Sequence, residues 1–184
     1  MNLAGKLLIA MPGMGDPRFA HSVIFLCAHS DEGAMGLIVN KPAQDLSFGQ
    51  LLSQLDIPHS DRSRDIRIHL GGPVDHGRGF VLHSGDYAGE GQTMKVDARF
   101  GMTATVDVLQ ALAQGAGPEQ SILALGYAGW GPGQLESEIL QNGWLTCEAT
   151  EALVFGAADA GKWEGALRSI GVNPLSLSAA AGHA

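Results

Sequence analysis

Two apolar runs, Val23 to Ala28 and Ala34 to Val39, flank a polar break from His29 to Gly33. Neither run alternates with polar residues, so the pattern predicts a hairpin whose strands are covered on both faces. Asn40-Lys41-Pro42 closes it, because proline cannot donate to a strand ladder. A helix follows. Ser47 and Gln50 have the spacing of a capping box, and Leu46 and Leu51 that of a hydrophobic staple. Phe48, Leu51, Leu52 and Leu55 then fall on one helical face, and Ile57-Pro58 stops the helix. Ile66-Arg67-Ile68-His69-Leu70 alternates strictly, which predicts a half-buried strand with Arg67 and His69 on the wetter face.

Further along, Gly71-Gly72-Pro73 predicts a turn, Phe80-Val81-Leu82 a strand, Gly85 to Gly91 a loop and Thr93 to Val96 a weaker strand. Thr103 or Thr105 caps a helix carrying Val106, Leu109 and Leu112, ended by Gly115 and Gly117-Pro118. Ile122 to Ala128 is apolar on both faces, which places it centrally in the sheet. Gly129 to Gly133 turns the chain into a short helix over Gln134 to Gln141, and Trp144 to Cys147 returns as a strand. The last helix spans about 159–170, with Trp163, Ala166, Leu167 and Ile170 on one face and Gly171 as its C-cap; a loose tail is expected over 178–184. Hairpins mixed with single helices point to an α+β fold with a mixed, largely antiparallel sheet, in one domain spanning 1–184.

Composition narrows the function classes. Gly supplies 26 of the 184 residues and charged residues only 16%, which implies tight turns, close backbone approaches and some surface covered by a partner. Lys+Arg at 11 against Asp+Glu at 19 gives a net charge of −8, which speaks against a phosphate-binding surface. Cys27 and Cys147 form no C-x-x-C pair and sit in apolar runs, as small buried hydrophobes do. Leu7 to Met11 reads as a strand, and Pro12-Gly13 follows it where a signal peptide would carry a small-residue cleavage site. No run reaches the roughly 18 apolar residues a membrane span needs. A cytoplasmic protein without membrane association is expected.

Several motifs recur together in order: Met11-Pro12-Gly13-Met14-Gly15-Asp16-Pro17-Arg18-Phe19, then His21-Ser22-Val23, then Gly33 to Pro42. Gly71-Gly72-Pro73-Val74, Gly79 to His83, Gly126-Tyr127-Ala128-Gly129-Trp130 and Gly133-Gln134-Leu135-Glu136 complete the set. Across essentially its whole length the chain resembles the YqgE/AlgH family of bacterial proteins. The resemblance implies a compact α/β domain whose sheet rolls into a partial barrel with flanking helices. It also implies a cytosolic location. Members have carried the label of transcriptional regulator, but no established activity or set of catalytic residues comes with the family.

The candidate chemistry is therefore weighed residue by residue. Gly13-Met14-Gly15-Asp16-Pro17-Arg18 imitates a dinucleotide fingerprint, yet Arg18 stands where the third glycine belongs and a strand follows instead of a helix. His69, His76 and His83 recur every seven residues with Asp75 beside the middle one, but odd spacings alternate faces on a strand. They read as hydrogen-bonded histidines on the wetter face of a hairpin, with no metal or cofactor implied. No G-x-S-x-G nucleophile elbow occurs. The loops Met11 to Phe19 and Gly129 to Glu136 both follow apolar strands and keep polar side chains beside tight turns, which is where binding residues usually lie. Placed at the same end of the sheet, they would bring Asp16, Arg18, Trp130, Gln134 and Glu136 to one cleft. The leading reading is non-catalytic binding of a small molecule or a protein partner. The alternative is an enzyme using Asp16, Asp75, Glu136 or the histidines, and transcriptional regulation has the least support.

Nucleic-acid binding needs clustered Lys and Arg to displace counterions, and the sequence carries no basic helix or stacking box. Gel-shift assays at physiological salt are expected to show no duplex binding. Micromolar affinity with a steep salt slope would contradict the reading.

Overall fold

A computed structural model describes residues 2–89 and 92–181. Strand β1 (Lys6–Ala10) leads through a 3-10 turn at Pro17–Phe19 into β2 (Val23–Ser30) and β3 (Gly33–Ile38). Helix α1 (Phe48–Gln54), β4 (Ile68–Leu70), β5 (Val74–Ser84), β6 (Thr93–Lys95) and β7 (Phe100–Thr103) follow. Then come α2 (Val106–Ala113), β8 (Ser121–Trp130), α3 (Gln134–Leu140) and β9 (Trp144–Glu148). Helices α4 (Glu151–Phe155), α5 (Lys162–Ser169) and α6 (Pro174–Ala181) complete the described elements.

The strands form one sheet in the order β6-β7-β5-β8-β3-β2-β1-β9, with β4 paired to β8 off that path. All pairings are antiparallel except β4 with β8, as the α+β reading expects. The sheet curls into a half-barrel with flanking helices. Both faces are covered, which is why the strands read as unbroken apolar runs. Leu7, Ile9, Val23, Phe25 and Leu37 face one core with Val154, Trp163 and Leu167 from α4 and α5. Their neighbours Leu8, Ala10, Ile24 and Leu26 face the opposite core with Leu135 of α3. Helices α1 and α2 cover the other half through Phe48, Leu52, Val108 and Leu112.

Strand β8 belongs to both halves. Its Leu123 and Leu125 pair with β4 and β5, whereas Ala128 to Trp130 pair with β3. Between them Gly126 takes φ +75, and a Cβ on Gly71 or Gly72 would collide with the Gly126–Tyr127 backbone. Only glycine fits a crossing of two bare backbones in this way.

The capping box is present as read: Ser47 Oγ accepts from Gln50 N at 3.1 Å, and Gln50 Oε1 accepts from Ser47 N at 2.8 Å. Other expectations need correction. Leu55 is 46% exposed, because the chain leaves the helix at Asp56 with φ +56. Strand β7 has no periodic signal, being four residues with a glycine inside, so Thr103 lies in a strand and Thr105 precedes α2. Helices α4 and α6 extend the architecture beyond the sequence reading; α6 carries the backbone to Ala181, into the segment expected to be loose, and 182–184 lie outside the described residues. The expected loop from Gly85 to Gly91 includes residues 90 and 91, also outside them.

The largest correction concerns the histidines. His69 and His83 are fully buried, and only His76 is exposed. The 3-10 turn Asp159–Gly161 roofs the face that alternation assigned to water. There Asp159 accepts from His69 Nε2 at 3.1 Å, Lys162 Nζ at 2.9 Å and Arg67 Nη1 at 2.9 Å. Lys162 also donates to the Val39 and Val154 carbonyls, tying α5 to the residue just after β3 and to α4. Burial alone would raise Asp159, but the bonds from Lys162 and His69 hold it below the usual carboxylate range. His83 donates from Nδ1 to the Ser84 carbonyl and accepts at Nε2 from Thr103, whose hydroxyl in turn meets that of Thr93.

Burial pushes both His69 and His83 below the ordinary histidine range. The unfolded chain therefore binds more protons near pH 6, and the stability present above the unfolded value of about 6.5 is lost as pH falls toward the folded values. The urea midpoint is expected to drop between about pH 7 and pH 5. A midpoint that stays level, with no proton uptake on unfolding, would contradict neutral buried histidines.

Candidate functional site

The loop after β1 is shaped by its own side chains. Asp16 caps the 3-10 turn by accepting from Arg18 N at 3.0 Å, and its carboxylate also accepts from Arg18 Nε at 3.0 Å and Nη2 at 2.7 Å. The bond from the Arg18 side chain holds the Asp16 carboxyl below the usual range. Lys41 Nζ donates to the Arg18 carbonyl at 2.6 Å, pinning the loop to the segment after β3. Asn40 completes the clamp by bonding Val23 N and the His21 carbonyl, both at 2.9 Å. His21 sits in the left-handed region at φ +56.

The loop after β8 is organised around Glu138. Its Oε1 accepts from the indole N–H of Trp130 at 3.1 Å and of Trp144 at 2.9 Å, and its Oε2 accepts from Gln134 Nε2 at 3.0 Å. Gln134 Oε1 accepts in turn from Gly131 N at 3.0 Å. Trp130 and Trp144 meet edge to face at 6.0 Å, and Phe19 packs edge-on against Trp144 at 5.7 Å. The two loops thus share one aromatic floor.

Between them lies a cleft of about 410 Å³ lined by Asp16, Arg18, Phe19, Trp130, Gln134 and Glu138, among others. Four of the five sequence-selected residues come together there. Glu136 does not: it lies outside the cleft lining and accepts from His29 Nε2 at 2.6 Å. Residues two apart on a helix point about 200° apart, so Gln134 and Glu136 cannot share a face, whereas Gln134 and Glu138 can. That i, i+4 relation was the signal that would have selected Glu138. His29 accepts from Leu3 N at Nδ1, which leaves its proton on Nε2 facing Glu136.

Asp75 and His76 are exposed on the outer part of β5, apart from buried His69 and His83. Among the described residues, no group of three or more His, Cys, Asp or Glu side chains is placed to hold a metal ion. Also among them, no helix is long and apolar enough to cross a membrane. Cys27 and Cys147 are buried free thiols, and burial drives Cys27 up to about 12.

A family model described as AlgH-like matches residues 7–175. The chain belongs to the AlgH-like family. A UPF0301 protein of Cereibacter sphaeroides is 61% identical over the full length of both chains, and one of Ruegeria pomeroyi is 60% identical, again covering all of each. The solution structure of the AlgH protein from Pseudomonas aeruginosa superposes with a TM-score of 0.81 at 43% identity, covering 100% of this chain and 97% of that one. The crystal structure of a Corynebacterium diphtheriae protein shares the fold alone, with a TM-score of 0.73 at 21% identity over 95% of this chain and 89% of that one.

In this AlgH-like chain the Glu138 carboxylate is the shared acceptor of two largely buried indoles, Trp130 at 7% and Trp144 at 1% exposure. Glu138→Ala leaves both N–H groups unpaired and is expected to cost about 1–3 kcal/mol in chemical denaturation. Glu138→Gln keeps an acceptor and should cost less. Equal losses for the two variants would remove the indole bonds as the cause.

Proposed function

We propose that this AlgH-like protein works in the cytoplasm by binding rather than catalysis, at the cleft between the Met11–Phe19 loop and α3. The observation that supports this reading is the state of the two cleft carboxylates. A general base or nucleophile needs a lone pair free to take a proton or attack. Asp16 is instead engaged at both oxygens by the Arg18 guanidinium, and Glu138 commits three of its roughly four acceptor sites to two indoles and an amide. Both side chains serve to build the wall.

Two carboxylates against one guanidinium disfavour a phosphate-bearing ligand. The second amide proton of Gln134 and the backbones of Gly13, Gly15 and Gly129 along the cleft suit a small neutral or cationic ligand, or a loop of a protein partner. The indole N–H resonances of Trp130 and Trp144 report on occupancy. In a titration with neutral, cationic and anionic polar fragments, the neutral or cationic members are expected to move the Trp130 signal. Gln134→Ala should abolish those shifts while the fold is retained. Fragments that bind elsewhere, or hits confined to anions, would reject the cleft or its ligand class.

A further inference from the structure

Helices α1 and α2 cover one half of the sheet without filling the space between them. A cavity of about 180 Å³ lies there, walled by Leu51 and Leu55 of α1 and by Val106 and Leu109 of α2. Its floor is the sheet itself, from Val81 and Leu123 to the bare backbones of Gly77 and Gly79. Leu55 and Val106, each about half exposed, stand where the lining meets solvent. Among the described residues that line it none is charged, and the Thr103 hydroxyl is already engaged by His83 and Thr93. The cavity shares no lining residue with the cleft.

Nothing in the strand itself requires the two glycines. Strand β5 shifts register between Val74 and Gly79, but the left-handed position in that bulge is Asp75, at φ +56. Neither Gly77 nor Gly79 takes a left-handed φ. A Cβ at Gly77 would meet nothing within 4 Å, and one at Gly79 would make ordinary contacts with Leu123 and Leu125 at 3.5 and 3.8 Å. Glycine inside a strand lowers stability relative to alanine, and it often marks a place where a ligand approaches the backbone closely. Side chains at these two positions would fill the floor, so glycine keeps the cavity open.

We propose that the cavity between α1 and α2 binds a small uncharged apolar molecule of about six carbons, seated on the Gly77 and Gly79 backbones. Size sets the upper limit: an aliphatic cavity of about 150 Å³ takes a benzene ring. Charge sets the class. An ionised group inside would lose its hydration with no counter-charge in the lining to replace it.

Titration with straight-chain primary alcohols, followed by the methyl resonances of Leu51, Val106 and Leu109, tests this. Affinity is expected to rise about fourfold per methylene from propanol and to stop rising near hexanol, where the cavity is full. Hexanoate and hexylammonium should bind about tenfold more weakly than hexanol, or worse. Gly77→Val and Gly79→Val should each abolish binding without lowering the melting temperature. If Gly79→Val fails to fold, Gly77→Val carries the test, since its side chain enters open space. Gly161→Val, an equally open position at the start of α5, should leave binding unchanged. Affinity that keeps climbing past octanol is surface partitioning and overturns the proposal. So do methyl resonances that hexanol does not move, tighter binding of either ion, or binding indifferent to the glycine variants.

Discussion

Everything in this half-barrel turns on the place where the Gly71-Gly72 backbone lies directly against Gly126-Tyr127. There β8 stops pairing with β4 and β5 and starts pairing with β3. Any side chain at Gly71 or Gly72 would hold the two strands apart, and Gly126 must also adopt a left-handed φ. The bend lets one strand serve both halves of the sheet and delivers Trp130 to the end where the Met11–Phe19 loop waits. The cleft is thus a by-product of how the sheet changes direction.

A second tie holds the carboxyl-terminal helices in place. Asp159 gathers His69, Lys162 and Arg67, and Lys162 reaches on to the carbonyls of Val39, just after β3, and Val154 in α4. Desolvating so many polar groups is costly unless each finds partners, and removing Asp159 would leave the buried Lys162 ammonium without its counter-charge. Trp163 beside it adds to the tie by donating its indole N–H to the Ala10 carbonyl at 2.8 Å.

The sequence was most legible where local chemistry decides the structure. The α1 capping box, the β2–β3 hairpin, central β8 and the start of α3 all follow from spacing and turn residues that need no distant partner. It misled where a distant segment decides. Alternation put His69 in water, but nothing local announces that Asp159 folds back over it from ninety residues away. In the candidate cleft, the loops were recognisable from their glycines and stranded polar side chains. Helical phase was the piece left unused: counting in fours from Gln134 leads to Glu138, and counting in twos leads to the residue that His29 holds. The exposure of Leu70, at 52%, was equally hidden, because a patterned leucine looks the same whether its face is roofed or open.

The pairing of β2 with β3 shifts register between Leu26 and Ala28. Up to that point Val23, Phe25 and Cys27 face one core while Ile24 and Leu26 face the other. Beyond it His29 stands opposite Ala34, which packs on the α3 side, so the odd-numbered series has changed faces. The bulge works as a phase adjuster: one additional residue lets the same strand supply a thiol to one interior and an imidazole to the other. Substitution within that stretch alters a single contact, but loss or gain of one residue would exchange the destinations of everything from Ala28 to the turn. The length of this segment is therefore under tighter constraint than its composition.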